Sequence, residues 1–176
     1  MQPSGANSTA GPGLVMAYII DGNNVMGQTP GWHRDRSGAR RRLVEDLAEF
    51  ARIKKARVTA VFDGEPDQDT PDSSAYRGVK VLYAERGSDA DSRIERLVES
   101  SRDRRGITVV TSDRALSAKV RGRGASVVRS GEFRRRMQEA REARPVIEDG
   151  EEPDVRDLNA WLRYFGASPE EDEEPD

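Results

Sequence analysis

Short apolar runs alternate along the chain with stretches whose apolar residues recur every three or four positions. The runs cover residues 17–21, 58–62, 79–83, 107–110 and 125–128. Nearly continuous apolar character over so few residues suits strands covered on both faces, as in a parallel sheet. Between the first two runs, Leu43, Leu47 and Phe50 with Val44, Ala48 and Ala51 form the stripe of a helix that Ser37 can cap and that extends to about Lys55. A second helix is predicted over 89–101, with Ile94, Leu97 and Val98 inward, and a third over 114–120, closed by Gly122 and Gly124. A last one opens at Ser130, with Glu132 or Arg134 in its first turn, and runs toward Ala143 until Pro145 stops it. The Pro-, Asp- and Ser-rich segment GEPDQDTPDSSAYRG reads as a loop. Strands separated by helices predict an α/β three-layer sandwich around a central, mainly parallel sheet with right-handed crossovers.

In such sheets functional groups converge outside the carboxyl ends of the strands. Three runs deliver an aspartate there: Asp21 in AYIIDGNNV, Asp63 in VTAVFDG and Asp113 in ITVVTSD. In ERGSDADSRIERL, Asp89 and Asp91 stand at a helix start, where backbone N–H groups and the helix dipole favour negative charge. Capping accounts for Asp89, whereas Asp91 is expected to aim back over the same sheet edge. Carboxylates gathered with no compensating Lys raise one another's pKa, a conflict that a divalent cation resolves. Oxygen donors without His or Cys fit Mg²⁺ or Mn²⁺. Such an ion polarises a phosphodiester and activates a bound water, so the implied chemistry is phosphodiester hydrolysis.

Composition narrows the setting. A chain of 176 residues with 35% hydrophobic and 35% charged residues and no Cys reads as one soluble domain without disulfides or thiolate metal sites. No apolar run approaches the roughly 18 residues of a membrane span. Residues 1–15 lack the character of a signal peptide and read as a disordered tail, which places the protein in the cytoplasm. The folded domain is expected over 16–147 and an acidic extension over 148–176. That extension carries twelve acids against two arginines, net −10, so the formal total of −3 leaves +7 on residues 1–147. A basic body suggests a polyanionic partner. Arginine supplies 25 of the 29 basic residues, which fits its phosphate-matched fork and equally a plain compositional bias.

The ordered set AYIIDGNNV, VTAVFDG, GSDADSRIERLV, ITVVTSDRAL and GASVVRSGEF, spanning about residues 17–133, resembles the YacP-like branch of the NYN domains, which belong to the PIN-like metal-dependent nucleases. The resemblance implies Asp21, Asp91 and Asp113 as metal ligands, with Asp63 completing the acidic pocket. It implies that Asn24 orients the first aspartate or a bound water, and that Thr111 and Ser112 bond a carboxylate or phosphate. Where the family often has two adjacent acids at the helix start, this chain has Asp91 and Ser92, so Asp89 becomes the candidate outer ligand. The implied activity is endonucleolytic cleavage of RNA, with a ribosome or an RNA-decay assembly as candidates to present it.

Rival classes are weighed on single positions. A catalytically weak RNA-binding or adaptor module of the same fold is the alternative. A Toprim enzyme needs a glutamate where Asp21 stands, a haloacid-dehalogenase phosphatase an acid where Asn23 stands, and a Rossmann site a GxGxxG that is absent. Arg114, beside Asp113, is the best-placed phosphate contact. Arg102 with Arg104 and Arg105, Arg121 with Arg123, and Arg134 to Arg136 are weaker candidates that equally describe a solvated surface. Trp32, His33 and Arg34 follow the first motif and could stack a base or simply be exposed. Asp67, Asp69 and Asp72 fail the EF-hand pattern and read as loop solvation. In the extension, Asp157 can cap a helix over about 157–165 whose Leu158, Trp161, Leu162 and Phe165 would dock on the body or on a partner.

Overall fold

The computed structural model describes residues 15–143. Its elements run β1 (Ala17–Asp21), α1 (Gly22–Met26), α2 (Arg36–Lys54), β2 (Arg57–Phe62), β3 (Ser74–Tyr76), β4 (Val79–Tyr83), α3 (Ala90–Ser100), β5 (Ile107–Val110), α4 (Arg114–Gly122), β6 (Ser126–Val128) and α5 (Ser130–Glu142). Among the described residues the strands form one sheet in the order β3-β4-β2-β1-β5-β6, parallel except for β3, which runs antiparallel to β4. The three-layer α/β architecture is the one expected from the apolar pattern. β1 is central, with Ile20 opposite Ala60 on one side and Val110 on the other.

Alternation along the strands sorts side chains into two core layers. Tyr18, Ile20, Ala60, Phe62 and Val81 pack with Leu43, Leu47 and Phe50 of α2 and Phe133 of α5. Ile19, Val61, Leu82 and Val109 pack with Ile94 and Val98 of α3 and Leu116 and Val120 of α4. Each fully buried Leu, Ile or Phe stabilises the fold by about 1.5–3 kcal/mol relative to exposure, which is why the strands need apolar residues at successive positions. The same period of two carries past the strand ends. Asp21 follows Ile19 by two, Asp63 follows Val61 and Thr111 follows Val109, so all three belong to the α3 and α4 side of the sheet.

Several local expectations change. The predicted cap Ser37 lies inside α2; the cap is Asp35, whose carboxylate accepts the Gly38 N–H at 2.9 Å. A carboxylate there adds charge–dipole attraction to the hydrogen bond, which a serine does not. Lys55 is not helical either, closing α2 in the left-handed region at φ 51. The helix α1 has too few residues to show a period. Gly22 lets it form, because a Cβ there would overlap the Phe62 ring. Within the segment read wholly as loop, Ser74–Tyr76 adds β3 as an edge strand. Nor are its acids mere solvation: Asp67 accepts the Thr70 N–H and hydroxyl at 2.8 and 2.7 Å, and Asp72 accepts the Tyr83 N–H at 2.8 Å. Pro145, the acidic extension and its predicted helix lie outside the described residues.

Candidate active site

Asp21 ends the central strand and is buried, 5% exposed. The Thr111 hydroxyl donates to its Oδ2 at 2.9 Å and itself accepts the Asp113 N–H at 3.1 Å, so one buried side chain links two of the aspartates. Burial pushes the Asp21 carboxyl up to about 6, opposed by the Thr111 hydrogen bond and reinforced by the charges of Asp91 and Asp63. The Asn24 backbone N–H favours the ionised form, although the Asp21 side chain makes no capping hydrogen bond with α1.

Asp63 follows β2, and its Oδ1 accepts the Ala90 N–H at 2.8 Å. That bond pins the start of α3 to the sheet edge. Asp91 occupies the first turn of α3 and is half-buried. Burial, then the charges of Asp113, Asp89 and Asp63, raise its carboxyl above the ordinary range. Asp89 is exposed and caps α3, accepting the Ser92 N–H at 2.8 Å, which holds its carboxyl low. Asp113 caps α4 through the Leu116 N–H at 2.9 Å. The structure therefore brings Asp21, Asp63, Asp91 and Asp113 to one edge, where Asp21 registers the charges of Asp91 and Asp63, and Asp91 those of Asp113, Asp89 and Asp63. Among the described residues, however, no three Asp, Glu, His or Cys side chains are grouped so as to hold a metal ion.

Of the two roles expected of Asn24, orienting the first aspartate or a bound water, its side chain does not perform the first among the described residues. Its Oδ1 accepts the Ser112 N–H at 2.8 Å and the Ser130 hydroxyl at 2.6 Å, tying α1 to the turn after β5 and to the start of α5. Ser112 also accepts the Ser130 N–H at 3.1 Å through its hydroxyl. Ser130, fully buried, was legible only as a helix opener. Asn23 was likewise missed; its Oδ1 accepts the Asp63 N–H at 3.1 Å. Arg40 was missed too, and is buried: its guanidinium donates to the carbonyls of Asp63 and Glu65 at 2.8 and 3.0 Å and pairs with Asp67 at 3.3 Å. It clamps the turn that carries Asp63.

Charge around the edge is also more balanced than the pattern suggests. Lys119 of α4, paired with Glu95 at 2.9 Å, favours the ionised forms of Asp91 and Asp89. Arg123 is held by Glu95 and Glu99, Arg136 by Glu132, and Arg104 by the Glu99 carbonyl. Arg114 is exposed with no acidic partner among the described residues. Trp32 and His33 lie in a 3-10 turn, the indole half-buried against the core and His33 exposed.

A central parallel strand ending in a buried aspartate, with further aspartates from two neighbouring crossovers at the same edge, is the arrangement of the PIN-like nuclease class. The chain belongs to the YacP-like NYN domain family, whose model matches residues 18–159. Its structure is similar to that of Rae1 (YacP) from Bacillus subtilis, at 24% identity and a TM-score of 0.60, over 72% of this chain and 75% of that one. A tryptophan-to-leucine mutant of Rae1 gives the same identity and TM-score over 73% and 78%. At this identity the likeness is one of fold. Comparison with curated protein sequences finds no match. Among the described residues no helix is long and apolar enough to cross a membrane.

Proposed function

We propose that the protein is a metal-dependent endoribonuclease acting from the carboxyl edge of its sheet. The observation that carries this reading is the gathering of aspartates at one edge in a chain of a nuclease family, where burial first and neighbouring carboxylates second raise both Asp21 and Asp91. The donor set fits a hard, oxygen-seeking cation, since it is all carboxylate and His33 belongs to the exposed turn after α1. Asp21, Asp91 and Asp113 would hold Mg²⁺ or Mn²⁺, with Asp89 as outer ligand. When bound, such an ion would polarise the scissile phosphodiester and lower the pKa of the attacking water.

The chain's own residues do the positioning. Thr111 keeps Asp21 oriented and favours its ionised form. Asp63 fixes the first turn of α3 and with it Asp91. Asn24 and Ser112 hold the turn leading to Asp113, and Arg114 presents an uncommitted guanidinium to a phosphate. The substrate is RNA, and a ribosome or decay assembly is the kind of partner that would present it in the cytoplasm. The nuclease domain is assigned to residues 16–147.

A second reading, an RNA-binding or adaptor module of the same fold, is favoured by the absence of a ready-grouped set of three ligands among the described residues. A labelled single-stranded RNA pool incubated with Mn²⁺ or Mg²⁺ separates the two. The nuclease reading expects fragments that disappear with EDTA and in Asp21→Asn and Asp113→Asn. Intact RNA in every sample, with binding retained, selects the adaptor.

A further inference from the structure

Across α1 from the aspartates lies a cavity of about 220 Å³, walled by Met26 of α1, Trp32, Arg42 and Asp46 of α2, and Arg134 of α5. It is smaller than the roughly 300–1,000 Å³ of pockets for drug-sized ligands, so it suits one ring system rather than a whole nucleotide. A wider crevice of about 590 Å³ opens at the opposite ends of the strands, lined by Arg57, Lys80 and Arg102. It is remote from the aspartates and lacks a stacking face other than the buried Tyr18.

We propose that the cavity lined by Trp32 is a subsite for a single unpaired nucleobase of RNA bound at the aspartate edge. This rests on the nuclease reading for its orientation, and its chemistry comes from the cavity itself. The indole packs against the core, meets the His33 ring edge-on at 5.4 Å between centroids and carries the exposed Arg36 guanidinium over its ring at 5.7 Å, so its plane is set and a base entering the cavity would take the place of Arg36 on that face. A fixed aromatic surface of this kind stacks any base. Its Nε1–H has no hydrogen-bond partner among the described residues. Arg134 donates Nε to the Val25 carbonyl at 3.2 Å, which aligns the guanidinium and leaves both terminal nitrogens without a partner among the described residues. Arg42 is exposed and only loosely paired, 3.6 Å from Asp35. Guanidinium donors around a stacking ring favour bases that present acceptors on one edge, guanine above all.

The position suits a strand crossing the active edge. α1 has five residues, so at about 1.5 Å rise per residue it separates Asp21 from Met26 by roughly 7 Å. A base seated in the cavity, whose near wall is Met26, would belong to the strand bound at that edge. Paired bases cannot enter, because a duplex keeps its bases stacked within the helix. The subsite would thus impose single-strandedness and a guanine preference at one position.

The test uses the full chain carrying Trp161→Phe, which leaves Trp32 as the only tryptophan, with EDTA present throughout so that binding is read whether or not the protein cuts. Short single-stranded RNAs are titrated while Trp32 emission is followed, beside the same RNAs with one abasic position and beside a duplex. The expected result is quenching by the single strand and, with affinity read from the anisotropy of a labelled RNA so that the variants need no tryptophan, a loss of about fivefold to a hundredfold in Trp32→Leu or at the abasic position, the range stacking supplies. Trp32→Phe retains most binding, and Arg42→Ala reduces the guanine preference. Equal affinity for intact and abasic RNA, or emission unchanged at saturation, overturns the subsite. A protein that never cleaves RNA yet shows the quenching refutes the nuclease reading alone.

Discussion

Asp21 carries the largest electrostatic consequence of any single side chain at the site. Its carboxyl titrates near 6 in the folded chain against 3.8 unfolded, so between those values the folded state binds more protons. Stability contributed by this group therefore falls as pH rises through that window, and stays lower above it. Asp21→Asn is expected to raise stability at pH 8 by on the order of 2–3 kcal/mol, to change it little below pH 4, and to abolish cleavage. Thermal melts at the two pH values check this, and a destabilised variant at pH 8 would contradict it. Thr111→Val keeps shape but removes the donor to Asp21. The acid limb of the cleavage profile should move to higher pH, since the bond favours the charged form. Ser130→Ala takes one of two donors from the half-buried Asn24 Oδ1, which keeps the Ser112 N–H, costing about 0.5–1.5 kcal/mol, and Ser130→Thr should restore part of it. Of these residues Asp21 was legible, because an apolar run that stops on an acid is visible locally. Ser130 was not, since its partner Asn24 lies 106 positions away.

Among the elements, the long periodic ones were readable and the brief ones were not. α2 and α3 show their stripes plainly, whereas α1 and β3 are shorter than the window a period requires. The caps failed where two candidates stood close together, as Asp35 and Ser37 do, and local propensity does not rank them. α1 depends on its first residue. Gly22→Ala should lower stability by about 1–3 kcal/mol, because the new methyl meets Phe62 across the layer. Phe62→Leu in the same chain should recover part of that loss despite its own cost. A double-mutant cycle read by denaturant unfolding measures the coupling, and strict additivity would show that the clash is absorbed elsewhere.

For the molecule as a whole, the sheet order was inferable only as a class. Alternating strands and helices imply a parallel sheet, but placing β1 between β2 and β5 needs the pairings themselves. Charge offers a test at this level. With +7 on residues 1–147 and −10 beyond them, deletion of residues 167–176 is expected to tighten RNA binding at low salt, an effect that fades as salt screens it. Equal affinity at both salt concentrations would show that the acidic segment does not compete.

One detail of the aspartates bears on which ions they accept. Asp21 gives Oδ2 to Thr111, Asp63 gives Oδ1 to Ala90 and Asp113 gives Oδ1 to Leu116. Of the three proposed ligands, Asp21 and Asp113 would therefore meet a cation most readily through the oxygen that Thr111 and Leu116 leave open, whereas Asp91 makes no such bond among the described residues. Calcium favours six to eight oxygens and commonly takes both atoms of a carboxylate, whereas magnesium and manganese are satisfied with fewer protein contacts and several waters. Calorimetric titration should accordingly show Mn²⁺ binding well ahead of Ca²⁺. At the proposed site, the capping and strand-end bonds that build the fold would thus limit denticity at two of the three ligands.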